Sequence, residues 1–348
     1  MNPPVIPITM RAAVLYGKED VRVESLPVTA PGPGEVLLKI EAALTCGTDL
    51  KVFRRGYHAA MIVPPSVFGH ECAGVIAACG AGVEARFAPG TRVVVANSAP
   101  CGACAFCVRG QENLCVDLHF INGGYAQYLK IPKRFVEKNL HALPAGLSFE
   151  AAALTEPLAC VAHGVETLAP KYRERIAVVG LGPIGLFFVA LLKTLGCHVI
   201  GVGRHAVRLD AAQKLGAAEV LEADPDGKWL EKLRGDAPDS VVEATGLPEV
   251  WEQAVRVVRR GGQVLLFGGC PAGTTVTLDT HRIHYDQITL RSPFHHRPRD
   301  VKVALAALAA GEVPAAPFIS GERPLADLPA LFREMLAAKS QVKICIRP

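Results

Sequence analysis

Ile176-Ala177-Val178-Val179-Gly180-Leu181-Gly182-Pro183-Ile184-Gly185 is the stretch on which the fold turns. An apolar run enters Gly-x-Gly-x-x-Gly, and an amphipathic pattern then continues to about Leu195, so the glycines stand between a buried strand and a helix N-terminus. In that setting the spacing reads as a dinucleotide-phosphate loop. Gly180 permits the tight turn, Gly182 lets backbone N–H groups approach a pyrophosphate, and Gly185 allows close helix packing, with Pro183 and Ile184 completing the loop. The helix N-terminus attracts the phosphates.

Working outward, apolar strands are expected at Val199 to Gly203, Ser240 to Glu243 and Gln263 to Phe267, alternating with helices. That alternation predicts an α/β unit, a parallel sheet wrapped by helices. An NAD site usually carries Asp or Glu about 20 residues past the loop, whereas this second strand ends in Gly203-Arg204-His205. Gly203 offers no carboxylate to repel a 2′-phosphate and Arg204 offers a planar charged fork to bind one, so NADP is expected over NAD. His205 and Arg208 are further candidates, although a solvated helix residue is the favoured reading of Arg208. Thr245-Gly246 and Phe267-Gly268-Gly269 fall at strand C-terminal ends, where a nicotinamide should lie; plain turn chemistry is the alternative.

The half before this unit is different. From Met10 to about Lys138, short runs such as Val36 to Ile40 and Arg92 to Val95 are separated by Pro and Gly clusters such as Ala30-Pro31-Gly32-Pro33-Gly34, which predicts a mainly β domain. From about Ser292 come two helices, Val301 to Ala310 and Leu328 to Ala338, then a strand, Val342 to Ile346, that needs a sheet to join. At 348 residues two domains are expected. Lys and Arg number 37 against 33 Asp and Glu, and the resulting +4 is too small over this length to argue for a nucleic-acid or membrane partner. The segment Met1 to Ile8 lacks a signal-peptide pattern and no apolar stretch reaches about 18 residues, so a cytoplasmic protein is expected.

Four of the 11 cysteines crowd into Cys101, Cys104, Cys107 and Cys115, a spacing that wraps a tetrahedral zinc with no position open to solvent. An iron–sulfur cluster is the rival, although no Pro follows the fourth Cys. Cys46, His70 and Glu156 are zinc-ligand types in separate segments. Taken singly, they read as a small buried hydrophobe, a core histidine and a helix N-terminal acid.

Cys46-Gly47-Thr48-Asp49, Gly69-His70-Glu71, the four-Cys loop, Gly123-Gly124-Tyr125-Ala126, Glu156-Pro157-Leu158 and the Gly180 loop occur in that order. With them nearly the whole chain resembles the zinc-dependent medium-chain alcohol dehydrogenases, particularly the polyol (sorbitol-like) and threonine dehydrogenase branches. The resemblance implies a mainly β, GroES-like catalytic domain over residues 1–155 and 292–348, with a doubly wound Rossmann domain, residues 156–291, inserted into it. It implies two zinc ions per chain. Cys46 and His70 would hold the catalytic one, with Glu156 in the third-ligand position and Glu71 as either a fourth ligand or a neighbour exchanging with water. Cys160, four residues beyond Glu156, is a substitute ligand, and Asp49 would orient His70.

The implied reaction is reversible hydride transfer between NADP(H) and a secondary alcohol or polyol and its ketone, with Thr48 accepting the hydroxyl proton. Lys51 stands where many relatives continue the proton relay with His. Phe294-His295-His296-Arg297 matches a loop lining the substrate cleft, so His295 and His296 are substrate-pocket candidates, with surface histidines as the alternative. Tyr57, His58 and Phe120 are weaker ones. Relatives of this length are often tetramers, so a homo-oligomer, tetramer or dimer, is expected, with Val276 to Leu278 pairing across subunits. The alternatives are an NAD-dependent polyol or threonine-type dehydrogenase, and a noncatalytic nucleotide-sensing zinc protein.

Overall fold

A computed structural model describes residues 6–57, 62–224, 226–338 and 341–348; His58 lies outside the described residues. The chain divides into two compact units: Met1–Pro157 with Arg297–Ala309 and Ile319–Pro348, and Leu158–His296 with Ala310–Phe318.

The second unit holds six parallel strands, Arg175–Val179, His198–Gly203, Glu219–Glu222, Ser240–Glu243, Gln263–Leu266 and Thr289–Arg291. Numbered along the chain, they lie in the order third, second, first, fourth, fifth, sixth. This is the doubly wound Rossmann arrangement, whose order reverses between the first and fourth strands. The inner strands are apolar on both faces because helices cover both; Ala177, Ile200, Val241 and Val264 are fully buried. Two of the six strands escape the sequence reading, Glu219–Glu222 and Thr289–Arg291. Both are edge strands with exposed charged residues, so neither carries the apolar run that marks a central strand.

In the first unit, Val36–Leu44 is the organising strand. It pairs antiparallel with Cys72–Cys79, Tyr128–Ile131 and Lys343–Arg347. The last of these also pairs with Ile319–Pro324, so the C-terminal strand joins the sheet begun near residue 36. A separate three-stranded sheet contains Thr9–Gly17, Asp20–Pro27 and Ser66–Val67. Between these layers Phe53, Phe68, Tyr125 and Phe332 form a buried group of rings, tilted or edge-to-face at 5.2 to 6.0 Å. Those rings fix the loop around residue 70. Gly69 has φ +94°, and a side chain there would strike the Tyr125 ring at 2.6 Å.

Val276 to Leu278 forms no strand within the chain. No helix among the described residues is long and apolar enough to cross a membrane.

Candidate functional site

Cys46 caps the helix Gly47–Arg55: its Sγ accepts from Thr48 N–H at 3.4 Å, which places the thiol and Thr48 on one helical turn. His70 follows the Gly69 turn. Ligand atoms of Cys46, His70 and Glu71 all lie within 4.8 Å of one another, although the first two are 24 positions apart. His70 Nδ1 sits 3.1 Å from Asp49 Oδ1, and Asp49 Oδ2 accepts from the Tyr125 hydroxyl at 2.5 Å. A proton on Nδ1 facing Asp49 would leave Nε2 as the nitrogen free to take a metal.

Glu71 is wholly buried, and Lys343 Nζ donates to both of its carboxylate oxygens, at 2.7 Å to Oε1 and 2.5 Å to Oε2, as well as to Thr45 O at 3.1 Å. Glu156 is buried in the same unit. Burial pushes its pKa up to about 7, against the pull of His70 and Lys343 and with the push of Glu71 and Asp49. Burial opposes a charged His70, but Asp49 and Cys46 outweigh it and hold the imidazole well above its ordinary value. Three buried carboxylates and a thiol thus face one lysine and one imidazole. So many ionisable groups in one buried space are costly unless they are paired or hold a cation, and thiolate, imidazole and carboxylate are the donors zinc takes.

Lys343 and Tyr125 are the residues that the sequence reading left without a role. Lys343 carries a faint signal, a lone charge inside the apolar run Val342 to Ile346.

Elsewhere in this unit, Cys101, Cys104, Cys107 and Cys115 converge. Their sulfurs stand 3.5 Å apart for Cys104 and Cys107 and 3.9 Å apart for Cys101 with Cys107 and Cys104 with Cys115. A disulfide would need about 2 Å. A zinc–sulfur bond of about 2.3 Å puts tetrahedral sulfurs about 3.8 Å apart, so the spacing fits one shared ion. A four-iron cluster, which gives each thiolate its own metal, would hold them farther apart. Backbone N–H groups of Cys101, Ala103, Cys104 and Asp117 point at these sulfurs. N–H donors lower the Cys104 thiol to about 6, whereas burial raises Cys107 to about 12.

In the second unit, Gly180 (φ +99°) ends the first strand, and a side chain at Gly185 would meet Gly180 O at 1.9 Å. Around Gly182, the N-cap of helix Pro183–Thr194, a methyl group would meet nothing within 4 Å. Closed beneath and open above, the turn fits a pyrophosphate. Gly203 ends the second strand over the Leu181 side chain. Arg204 is exposed and His205 and Arg208 are half-buried, so Arg208 is not simply a solvated helix residue. Burial and the nearby charge of Arg204 both lower its pKa, placing two guanidinium groups beside the strand end.

Thr245-Gly246 and Gly268-Gly269 lie against each other at the ends of the fourth and fifth strands. Phe267 packs edge-on against Phe188 at 5.0 Å, a core contact. His296 is buried, and that burial, with His295 and His163 nearby, keeps it well below its ordinary pKa. His295 has φ +56°, its carbonyl accepts from His163 Nδ1 at 2.7 Å, and Cys160 Sγ lies 4.0 Å from its Nδ1. Tyr57 and Lys51 are exposed and Phe120 is half-buried.

Residues 32–144 match the family model of the alcohol dehydrogenase GroES-like domain, and residues 183–310 match that of zinc-binding dehydrogenase. The chain is similar to sorbitol dehydrogenase of Bacillus subtilis, at 32% identity over 99% of this chain and 98% of that one. It is 34% identical to L-threonine 3-dehydrogenase of Pyrococcus horikoshii over 75% of each chain. A protein from Sinorhizobium meliloti, described as a zinc-binding dehydrogenase and solved bound to NADP, superposes with a TM-score of 0.90 at 30% identity, covering 98% of this chain and 99% of that one.

Proposed function

The chain belongs to the zinc-dependent medium-chain alcohol dehydrogenases, in their polyol and threonine dehydrogenase group, and we propose that it moves hydride between NADP(H) and a secondary alcohol or polyol and its ketone. Oxidation and reduction at an alcohol CH–OH group with a nicotinamide coenzyme comes with the family. The preference for NADP is our reading of Gly203, Arg204 and Arg208. The first unit is the catalytic half in this proposal, and the second carries the coenzyme.

Cys46, His70 and Glu156 are assigned to the catalytic zinc, and Cys101, Cys104, Cys107 and Cys115 to a closed structural one. When bound, the catalytic zinc supplies a Lewis acid at the substrate oxygen. The protein does the rest. Asp49, itself held by Tyr125, keeps His70 in the ligating tautomer. Lys343 engages both oxygens of Glu71, so Glu71 supports the site from behind in this reading rather than joining the ligands. Thr48 takes the hydroxyl proton; the bond from its N–H to Cys46 Sγ keeps hydroxyl and thiol in one geometry. Lys51, one turn further and exposed, gives that proton a route to solvent.

The observation that carries the reading is the meeting of Cys46 and His70, whose ligand atoms lie within 4.8 Å of each other and of Glu71, with Asp49 behind the imidazole. The test is an initial-rate screen of secondary alcohols, polyols and their ketones with NADP and NAD in parallel, on protein of known zinc content. Turnover that needs zinc and favours NADP supports the proposal. Full turnover in zinc-free protein defeats it.

A further inference from the structure

Glu243 is fully buried at the C-terminal end of the fourth strand, and it gathers donors from two directions. Its side-chain Oε1 accepts from Thr245 N at 2.6 Å, from Gly246 N at 3.1 Å and from the Thr245 hydroxyl. Its backbone carbonyl accepts from Phe267 N and Gly268 N, both at 3.0 Å. The two turns so tied are also in backbone contact with each other. A methyl group at Gly246 would fall 2.5 Å from Gly269 O, and one at Gly268 would fall 2.2 Å from Gly246 N and 2.8 Å from Glu243 Oε2. From the other side, Trp251 Nε1 donates to Gly268 O at 3.0 Å.

An acid is expensive in such a place. Burial pushes its pKa up, opposed by the bonds from Thr245 and Gly246 and by the nearby Trp251 N–H, and Oε2 meets the hydrogen-bond criterion with no partner among the described residues. Plain turn-making does not require it, since Asn or Gly closes turns without burying a charge. Burying a carboxylate is worthwhile where one acceptor must hold three donors in a fixed arrangement. The location says what needs holding. In a doubly wound sheet a dinucleotide lies across the strand ends where the order reverses, its adenosine half by the first and second strands and its other half by the fourth and fifth.

We infer that Glu243 is a positioning residue for the nicotinamide half of the coenzyme: its carboxylate fixes the Thr245-Gly246 turn, which packs against the Gly268-Gly269 turn, without touching the coenzyme itself. The inference rests on reading the second unit as the NADP-binding half. Glu243→Ala should therefore weaken NADPH, and it should leave adenosine 2′,5′-bisphosphate, which lacks the nicotinamide half, nearly unchanged. Glu243→Gln keeps an Oε1 acceptor and should restore most of the loss.

The experiment is equilibrium titration of both ligands into the wild-type protein and these variants, followed by fluorescence. A rise of about tenfold or more in the NADPH dissociation constant for Glu243→Ala, confined to NADPH and largely reversed by Gln, is the expected result. Equal weakening of both ligands overturns the inference, because it marks a general packing role. Unchanged NADPH binding overturns it as well. A wild-type protein that binds neither ligand would instead sink the coenzyme reading. If Glu243→Ala does not fold, Thr245→Val, which removes one donor and keeps the volume, should show a smaller loss with the same selectivity for NADPH, and a loss shared by both ligands would again overturn the inference.

Discussion

Gly203 and Arg204 allow crowding and charge to be separated by single substitutions. A methyl group at Gly203 would lie 3.0 Å from Leu181 Cδ1 and 3.1 Å from its Cβ and Cγ. That is tight, but a leucine side chain can give by the few tenths of an ångström required. Gly203→Ala is therefore expected to change NADPH and NADH affinity by the same small factor. Gly203→Asp adds a carboxylate to the same crowding, so its further effect should fall on NADPH alone and in the unfavourable direction. Arg204→Ala is expected to remove the proposed charge-assisted hydrogen bond to the 2′-phosphate, worth about 1.5 to 3 kcal/mol, or roughly 10- to 150-fold in the dissociation constant of NADPH. NADH should not respond. Because Arg208 lies close enough to feel Arg204, two cations would face a bound 2′-phosphate in the proposed mode. Binding of NADPH should then weaken with salt more steeply than binding of NADH, and Arg204→Ala should narrow that difference. Fluorescence titration of both reduced coenzymes at several ionic strengths measures all of this. A wild-type protein that prefers NADH, or an Arg204 variant with unchanged NADPH affinity, would refute the reasoning.

Elemental analysis of the purified protein is expected to find about two zinc ions per chain, and a mild chelator should remove activity before the fold, because only the catalytic site keeps an open position. Thr48→Val should retain both metals and lose most turnover, and wild-type turnover at every pH would exclude Thr48 as the proton acceptor. Cys104→Ser removes one of four converging sulfurs and should lower the apparent Tm in calorimetry more than it lowers turnover per folded molecule. His141, pushed by burial and then by the charges of Lys302 and Arg86 from 6.5 down to about 4, supplies a pH signature of its own. The folded chain resists a proton that the unfolded chain accepts, so stability present above pH 6.5 falls as the pH drops toward 4, by up to about 3 kcal/mol. His141→Gln should flatten that acid limb of Tm against pH; an unaltered limb would show that other groups cause it.

The Rossmann half was legible because its determinants are local. The glycines of the Gly180 loop, the apolar inner strands and the helix periodicity lie within a few residues of one another, and each imposes its geometry whatever the rest of the chain does. The four-Cys loop was legible for the same reason, with all four cysteines inside 15 residues. The edge strands Glu219–Glu222 and Thr289–Arg291 were not, since an edge strand draws its pairing from a neighbour rather than from an apolar run of its own. Around Cys46 and His70 the residue types could be named, but their meeting, and the support beneath them, depended on pairings made far along the chain. Tyr125 reaches Asp49 across 76 positions, and Lys343 reaches Glu71 across 272. Lys343 arrives there only because the C-terminal strand pairs with Val36–Leu44. Sequence alone thus determined which chemistry was present, through residue type and short spacing. Tertiary structure decided which charges share one buried space, because a carboxylate, a lysine and an imidazole from distant segments acquire their energies only when folding strips away the water between them.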